Sequence, residues 1–152
     1  MAEKMKIMVI NGPNLNMLGI REVGVYGNKS YADLEALIED YAEKSGIEAT
    51  VLQSNSEGEI IDFIHHALGN YDGIVINPGA YTHYSYAIHD ALSSVNIPIV
   101  EVHISNIHKR EEFRHKSVTA PACVGQIAGL GLRGYLLAID YLLGEASCDA
   151  KD

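Results

Sequence analysis

The stretch Pro98-Ile-Val-Glu-Val-His-Ile-Ser105 decides the fold. Its apolar positions are mostly β-branched and do not alternate with polar ones, which is the pattern of a strand buried on both faces. The reading places a strand over Pro98–Val102. Comparable runs predict strands over Lys6–Ile10, Glu48–Leu52 and Gly73–Ile76, with a weaker fifth over Val124–Ala128. Between these runs the apolar spacing changes from continuous to helical. Strands that alternate with helical stripes predict an α/β architecture in which helices cover both faces of a mostly parallel sheet.

The stripes are specific. Leu34, Leu37, Ile38 and Tyr41 follow i, i+3, i+4, i+7 spacing behind a plausible cap at Ser30 and Asp33. Ile60, Ile61, Ile64 and Leu68 form a second stripe behind Ser56-x-x-Glu59, the stronger capping-box pattern of the two. Ile88, Ala91, Leu92 and Val95 form a third. The last helix is expected over Leu132–Leu143, returning Leu136, Ile139, Leu142 and Leu143 to the sheet, with a polar, fraying tail over residues 144–152. The widest irregular segment, Asn11–Ser30, is long enough to require a functional explanation. No linker, repeat or low-complexity tract interrupts the chain, so residues 1–152 are expected to form a single domain with its core over about 6–143.

Bulk properties narrow the function. A formal charge of −9 opposes a broad nucleic-acid surface, whereas the local cluster Lys109, Arg110 and Arg114 leaves room for a small anion. No apolar run approaches the roughly 18 residues that would span a membrane. The start, MAEKMKIMVINGP, runs into Asn11, Gly12 and Pro13 without a small-residue cleavage pattern, so it reads as a first strand and the expected location is cytoplasmic. Cys123 and Cys148 form neither a CxxC nor a zinc-like pattern and are expected to be reduced thiols.

In open α/β sheets ligands lie beyond the carboxyl ends of the strands, and the polar residues of this chain gather there. Strand one runs into Asn14, strand three into Asn77 and onward to His83, and strand four carries Glu101, His103, Ile104 and Ser105. Each has a plainer reading: Asn14 as a turn residue, His103 as a hydrogen-bonded core histidine. Glu101 is harder to set aside, because it interrupts a buried run and a buried carboxylate requires partners. The i, i+2 spacing points Glu101 and His103 to one side of the strand, so the carboxylate can orient one ring nitrogen while the other exchanges a proton with substrate.

The long first loop contributes Arg21 and Tyr26, whose plainer readings are an exposed arginine and an anchoring tyrosine. A tyrosine is a poor base at its reference pKa of about 10. A neighbouring Arg21 would favour the phenolate, and the segment could serve as a lid. Arg110 and Arg114, four apart in KREEFRH, read most simply as a solvated turn paired with Glu111 and Glu112, a reading that is strong for Arg110. Arg114 has the alternative of donating to an anionic substrate, with Ser105 and the backbone around Ile104 completing a carboxylate pocket. No GxGxxG follows the first strand and no GxxxxGK[ST] occurs; the glycines of GLGLRG, residues 129–134, read as close strand-to-helix packing.

Taken in order, NGPNLNMLGIRE with VYG, QSNSEGEIIDFIH, NPGAYTHYSYAIHDAL, PIVEVHISNIHKREEFRHKS and GQIAGLGLRGY resemble the successive signature segments of the type II 3-dehydroquinate dehydratases, over about residues 6–143. The resemblance implies a flavodoxin-like three-layer sandwich with a five-stranded parallel sheet in the order 2-1-3-4-5. It implies a hydro-lyase that removes water from 3-dehydroquinate by trans elimination through an enolate-like intermediate, giving 3-dehydroshikimate. By position, Tyr26 matches the base, Arg21 the arginine that makes it more acidic, and Asn14 the holder of a water against the enolate oxygen. His103 matches the general acid and Glu101 its supporting carboxylate. Asn77, Ile104 and Ser105 match the carboxylate-binding group, His83 and Arg114 donors to ring hydroxyls, and Asp90 a residue that reaches a neighbouring subunit's site. It further implies no metal or organic cofactor and a homododecamer built from trimers. Tyr84, Tyr86 and His89 depart from the commonest pattern near Asp90. The competing reading is a flavodoxin-like small-molecule binding module without catalysis; an assembly protein that has lost its chemistry and a nucleophilic hydrolase are weaker, the last for want of a G-x-S-x-G elbow.

Overall fold

In the computed structural model, which describes residues 3–20 and 22–151, five parallel strands form one sheet in the order β2-β1-β3-β4-β5. The strands are β1 (Lys6–Asn11), β2 (Glu48–Gln53), β3 (Gly73–Asn77), β4 (Ile99–His103) and β5 (Gly125–Ala128). The helices are α1 (Val23–Tyr26), α2 (Tyr31–Ser45), α3 (Glu57–Ala67), α4 (Tyr86–Ser94) and α5 (Arg133–Lys151). Both the parallel sheet and its expected order are therefore observed.

Strand alternation sorts the core into two layers. Ile7, Val9, Val75, Val100 and Val102 meet Leu34, Ile38 and Ala42 of α2 and Tyr135, Ala138, Ile139 and Leu142 of α5. The opposite face, with Met8, Ile10, Ile74, Ile76 and Ile99, meets Ile60, Ile64 and Ala67 of α3 and Ile88, Ala91 and Leu92 of α4. Every residue of β3 and β4 is buried, as a central strand covered on both sides requires.

Three local expectations are corrected. Helix α5 does not stop at Leu143 but continues through Gly144 to Lys151. No proline follows, and once a helix is nucleated each further residue adds a hydrogen bond, so one glycine costing about 1 kcal/mol does not end it. The complete reciprocal capping box lies at Ser30 and Asp33, not at Ser56 and Glu59. There Ser56 accepts from the Glu59 N–H, but the Ser56 N–H donates to Ser54 Oγ at 2.9 Å. Leu68 falls just beyond α3 and is 53% exposed, its expected place in the stripe being taken by Ala67.

The segment after β1 holds a 3-10 turn at Leu15–Met17 and the single turn of α1. Its start is locked to β3, since the Gly12 N–H donates to Asn77 O at 2.7 Å. A Cβ on Gly12 would stand 2.4 Å from the Pro78 carbonyl oxygen, which is backbone and cannot turn aside. Gly12→Ala is therefore expected to lower stability by about 1–3 kcal/mol. A urea midpoint equal to that of the unaltered protein would show that the two strand ends need not touch.

Candidate active site

The carboxyl ends of β1, β3 and β4 open onto one crevice. Asn14, Asn77, His103, Ile104 and Ser105 line it from the strand ends, His83 and Arg114 from the turns beyond β3 and β4, and Tyr26 from α1. Glu101 stands behind His103. Arg21 lies outside the described residues, and Asp90 is on α4 with its side chain 82% exposed, 3.4 Å from His89 Nδ1.

Asn14 unites its two readings: it adopts left-handed backbone at φ 70°, its N–H donates to Asn55 Oδ1 at 3.0 Å, and it lines the crevice. Asn77 is held from behind. Its Nδ2 donates to the Tyr135 hydroxyl at 2.9 Å, and that hydroxyl donates to Asn11 Oδ1 at 2.6 Å. Its Oδ1 accepts from the Gly79 N–H at 3.1 Å. Tyr135 is fully buried, and burial pushes its phenol well above the ordinary range, so it stays a neutral donor. Nothing in GLGLRGY distinguished this tyrosine from a core residue; its hydroxyl has meaning only once α5 lies beneath β1 and β3.

Glu101 has no solvent exposure. His103 Nε2–H donates to its Oε2 at 2.9 Å, Ser117 Oγ–H at 2.8 Å and Gln126 Nε2–H at 2.7 Å, while Thr119 Oγ1–H donates to Oε1. Thr82 joins the hydroxyl pair, 2.8 Å from Ser117 Oγ and 2.7 Å from Thr119 Oγ1. Burial alone would raise the Glu101 pKa, but the hydrogen bond and charge of His103, aided by Thr119 and Gln126, hold it below its ordinary value. Glu101 is thus an ionised acceptor that keeps the Nε2 proton of His103 in place and leaves Nδ1 as the second ring nitrogen. The sequence reading paired Glu101 with a histidine but missed Ser117, Thr119 and Gln126, which reach it from distant segments.

His83 is half-buried, and its Nδ1–H donates to the Lys116 carbonyl at 2.8 Å. Burial is the main cause that depresses its pKa, assisted by the His103 and Arg114 charges. Arg114 keeps part of its plainer reading, since Nε donates to Glu111 Oε2 at 2.9 Å, yet it also lines the crevice.

Arg110 corrects the reading of a solvated turn. Its side chain is 10% exposed and lies 3.6 Å from Glu22 Oε1. Nη1 donates to the Tyr26 hydroxyl at 2.7 Å, with a longer contact of 3.4 Å to Ser105 Oγ. The guanidinium stands 5.2 Å from the Tyr26 ring centre. Arg110 and Arg114 do not share one helix: two separate 3-10 turns, Ile107–Lys109 and Glu112–His115, flank Arg110 and turn it inward.

Among the described residues no group of three or more His, Cys, Asp or Glu side chains is arranged to hold a metal ion. Cys123 is a free thiol that burial pushes up to about 12, a poor nucleophile at neutral pH. The side chain of Cys148 lies outside the described residues.

A flavodoxin-like sheet that brings a guanidinium-bound tyrosine, a carboxylate-held imidazole and amide and guanidinium donors to its carboxyl edge has the layout of an acid–base enzyme acting on a polar anion. The family described as dehydroquinase class II matches residues 5–143. The 3-dehydroquinate dehydratase of Lachnoclostridium phytofermentans is 66% identical over 140 residues, covering 91% of this chain and 97% of that protein. That of Thermotoga neapolitana is 61% identical over 147 residues, covering 97% and 100%. The crystal structure of the type II dehydroquinase from Butyrivibrio crossotus superposes with a TM-score of 0.91 at 62% identity, covering 93% of this chain and 99% of that one. The chain belongs to the class II dehydroquinase family.

The geometry around Glu101 has a thermodynamic consequence. Its folded pKa lies below the ordinary 4.5, so its contribution to stability is complete above about pH 4.5 and is lost as pH falls through the depressed value. Glu101→Gln is expected to be less stable at pH 7 and to show a flatter decline between pH 5 and 3. Denaturation midpoints that fall in parallel for the two proteins would remove Glu101 as the source.

Proposed function

We propose that this protein dehydrates 3-dehydroquinate to 3-dehydroshikimate by trans elimination, within a single catalytic domain. The observation that carries the reading is the pairing, across one crevice, of Tyr26 under Arg110 with His103 held by buried Glu101.

In this reading the Tyr26 oxygen, as phenolate, removes a proton from the carbon beside the substrate ketone. The electron pair moves into an enolate, whose oxygen Asn14 stabilises through a held water. Collapse of the enolate expels the hydroxyl on the neighbouring carbon, and His103 delivers the proton that lets it leave as water. The ketone reforms in conjugation with the new double bond. Proton uptake and release balance across the cycle, with Tyr26 ending protonated and His103 deprotonated until they exchange with solvent. Arg21 is assigned to Tyr26 as well, and Arg110, at 2.7 Å, supplies positive charge where the phenolate oxygen forms. Asn77, Ile104 and Ser105 take the substrate carboxylate, while His83 and Arg114 donate to ring hydroxyls. Asp90, exposed on α4, reaches a neighbouring subunit's crevice in a homododecamer of trimers. We further propose a cytoplasmic enzyme of the shikimate pathway or of quinate metabolism; no described helix is long and apolar enough to cross a membrane.

The test is ultraviolet absorbance of the purified protein with 3-dehydroquinate, following the conjugated enone. Tyr26→Phe and His103→Ala are each expected to lower kcat by roughly 100-fold or more with the fold intact. Absence of enone from the folded, unaltered protein would favour the small-molecule binding module instead. Arg110→Met is expected to lower kcat about 10- to 1,000-fold; turnover within twofold of the unaltered protein would return Arg110 to a packing role.

A further inference from the structure

The Glu101 carboxylate accepts from an edge-strand side chain that has no part in the proposed proton transfers. Gln126 is the direct partner of Glu101 in the β4–β5 register, and β5 is the last strand of the sheet. Partners in register project to the same face of a sheet, so the Gln126 amide lies beside the carboxylate by construction. The residue is exposed at the open edge, yet its Nε2 reaches inward to within 2.7 Å of Glu101 Oε2.

The atom it selects matters. Oε2 is also the acceptor for His103 at 2.9 Å and Ser117 at 2.8 Å, whereas Thr119 uses Oε1. Three donors therefore share one oxygen with two lone pairs, and each weakens the bond the others make. A hydroxyl can rotate to accept instead of donating. The amide of Gln126 faces an ionised carboxylate that can only accept, so its NH2 end is fixed inward.

We propose that Gln126 is a positioning residue that limits how strongly Glu101, through the Nε2–H it accepts, stabilises the His103 imidazolium, and so keeps the proton on Nδ1 free to be delivered. The proposal rests on the assignment of His103 as the general acid. Without the amide, Oε2 becomes a stronger partner for the imidazolium, which then releases its proton less readily. Among the described residues, the other charged or titratable groups near this pair are His83 and Arg114 from the turns above it, Tyr26 and Arg110 in the same crevice, and Cys123 at its flank. Gln126 touches none of the proposed substrate positions, so its loss acts on proton delivery and leaves binding alone.

The experiment compares the unaltered protein with Gln126→Met, which keeps side-chain volume but lacks the donor. Two readouts are taken: nitrogen-15 resonances of the His103 ring against pH, and the pH dependence of kcat and KM for enone formation. In Gln126→Met the His103 titration is expected to move upward by about half to one pH unit, the scale of one ordinary hydrogen bond. The alkaline limb of kcat should follow it, with kcat on the plateau below that limb lowered about 2- to 5-fold and KM within about twofold. Gln126→Leu, which also lacks the donor, should shift the His103 titration in the same direction and serves if the methionine variant does not fold. An unchanged His103 titration in a folded variant overturns the proposal, as does a loss confined to KM. A shifted titration without movement of the kcat limb upholds the coupling of Gln126 to His103 and instead defeats the assignment of His103 as the acid.

Discussion

A carboxylate with no exposure to water stands in the middle of β4, one strand in from the sheet edge, and the architecture around the crevice is organised by the need to keep it charged. An ionised carboxylate in a protein interior is costly unless its oxygens are met by donors. Here they are met from His103 on the same strand, Ser117 and Thr119 on the segment leading to β5, and Gln126 on β5 itself. Satisfying one charge thus fixes the position of the sheet edge, the turn before it and an imidazole at the mouth of the crevice.

The opposite side of the crevice follows a similar logic with neutral groups. Asn11, Tyr135 and Asn77 form a buried chain that ties the ends of β1 and β3 to α5. Because both ends of its amide are engaged, Asn77 is held before a ligand arrives. A donor held in this way can meet an anionic group without having to reorient when it binds. The segment carrying Tyr26 contributes differently: no residue of its single helical turn is fully buried, and the Tyr26 hydroxyl meets the body of the protein through Arg110.

Arg110 shows how a plausible local rule fails. In KREEFRH the nearest charges along the chain are Glu111 and Glu112, and on a helix these would have held the arginines at the surface. The backbone forms two short 3-10 turns instead, so Arg110 points toward Tyr26, a residue 84 positions earlier. Charge patterning reads neighbours in sequence, whereas this guanidinium answers to a neighbour in space.

What the amino-acid sequence determined by itself was the periodicity and chemistry of each segment: continuous β-branched strands, the stripes Leu34–Ile38 and Ile60–Ile64, and the polar residues at strand ends. Local sterics and burial on one or two faces decide these, and they act over a few residues. Glu101 and His103 were legible together because a strand's two-residue repeat places them on one side. Tertiary structure alone decided that Ser117, Thr119 and Gln126 converge on Glu101, that Tyr135 holds Asn77, and that Arg110 meets Tyr26. Those contacts join segments 16 to 84 residues apart, and hydrogen bonds at about 3 Å exist only after helices and strands have packed to fixed separations.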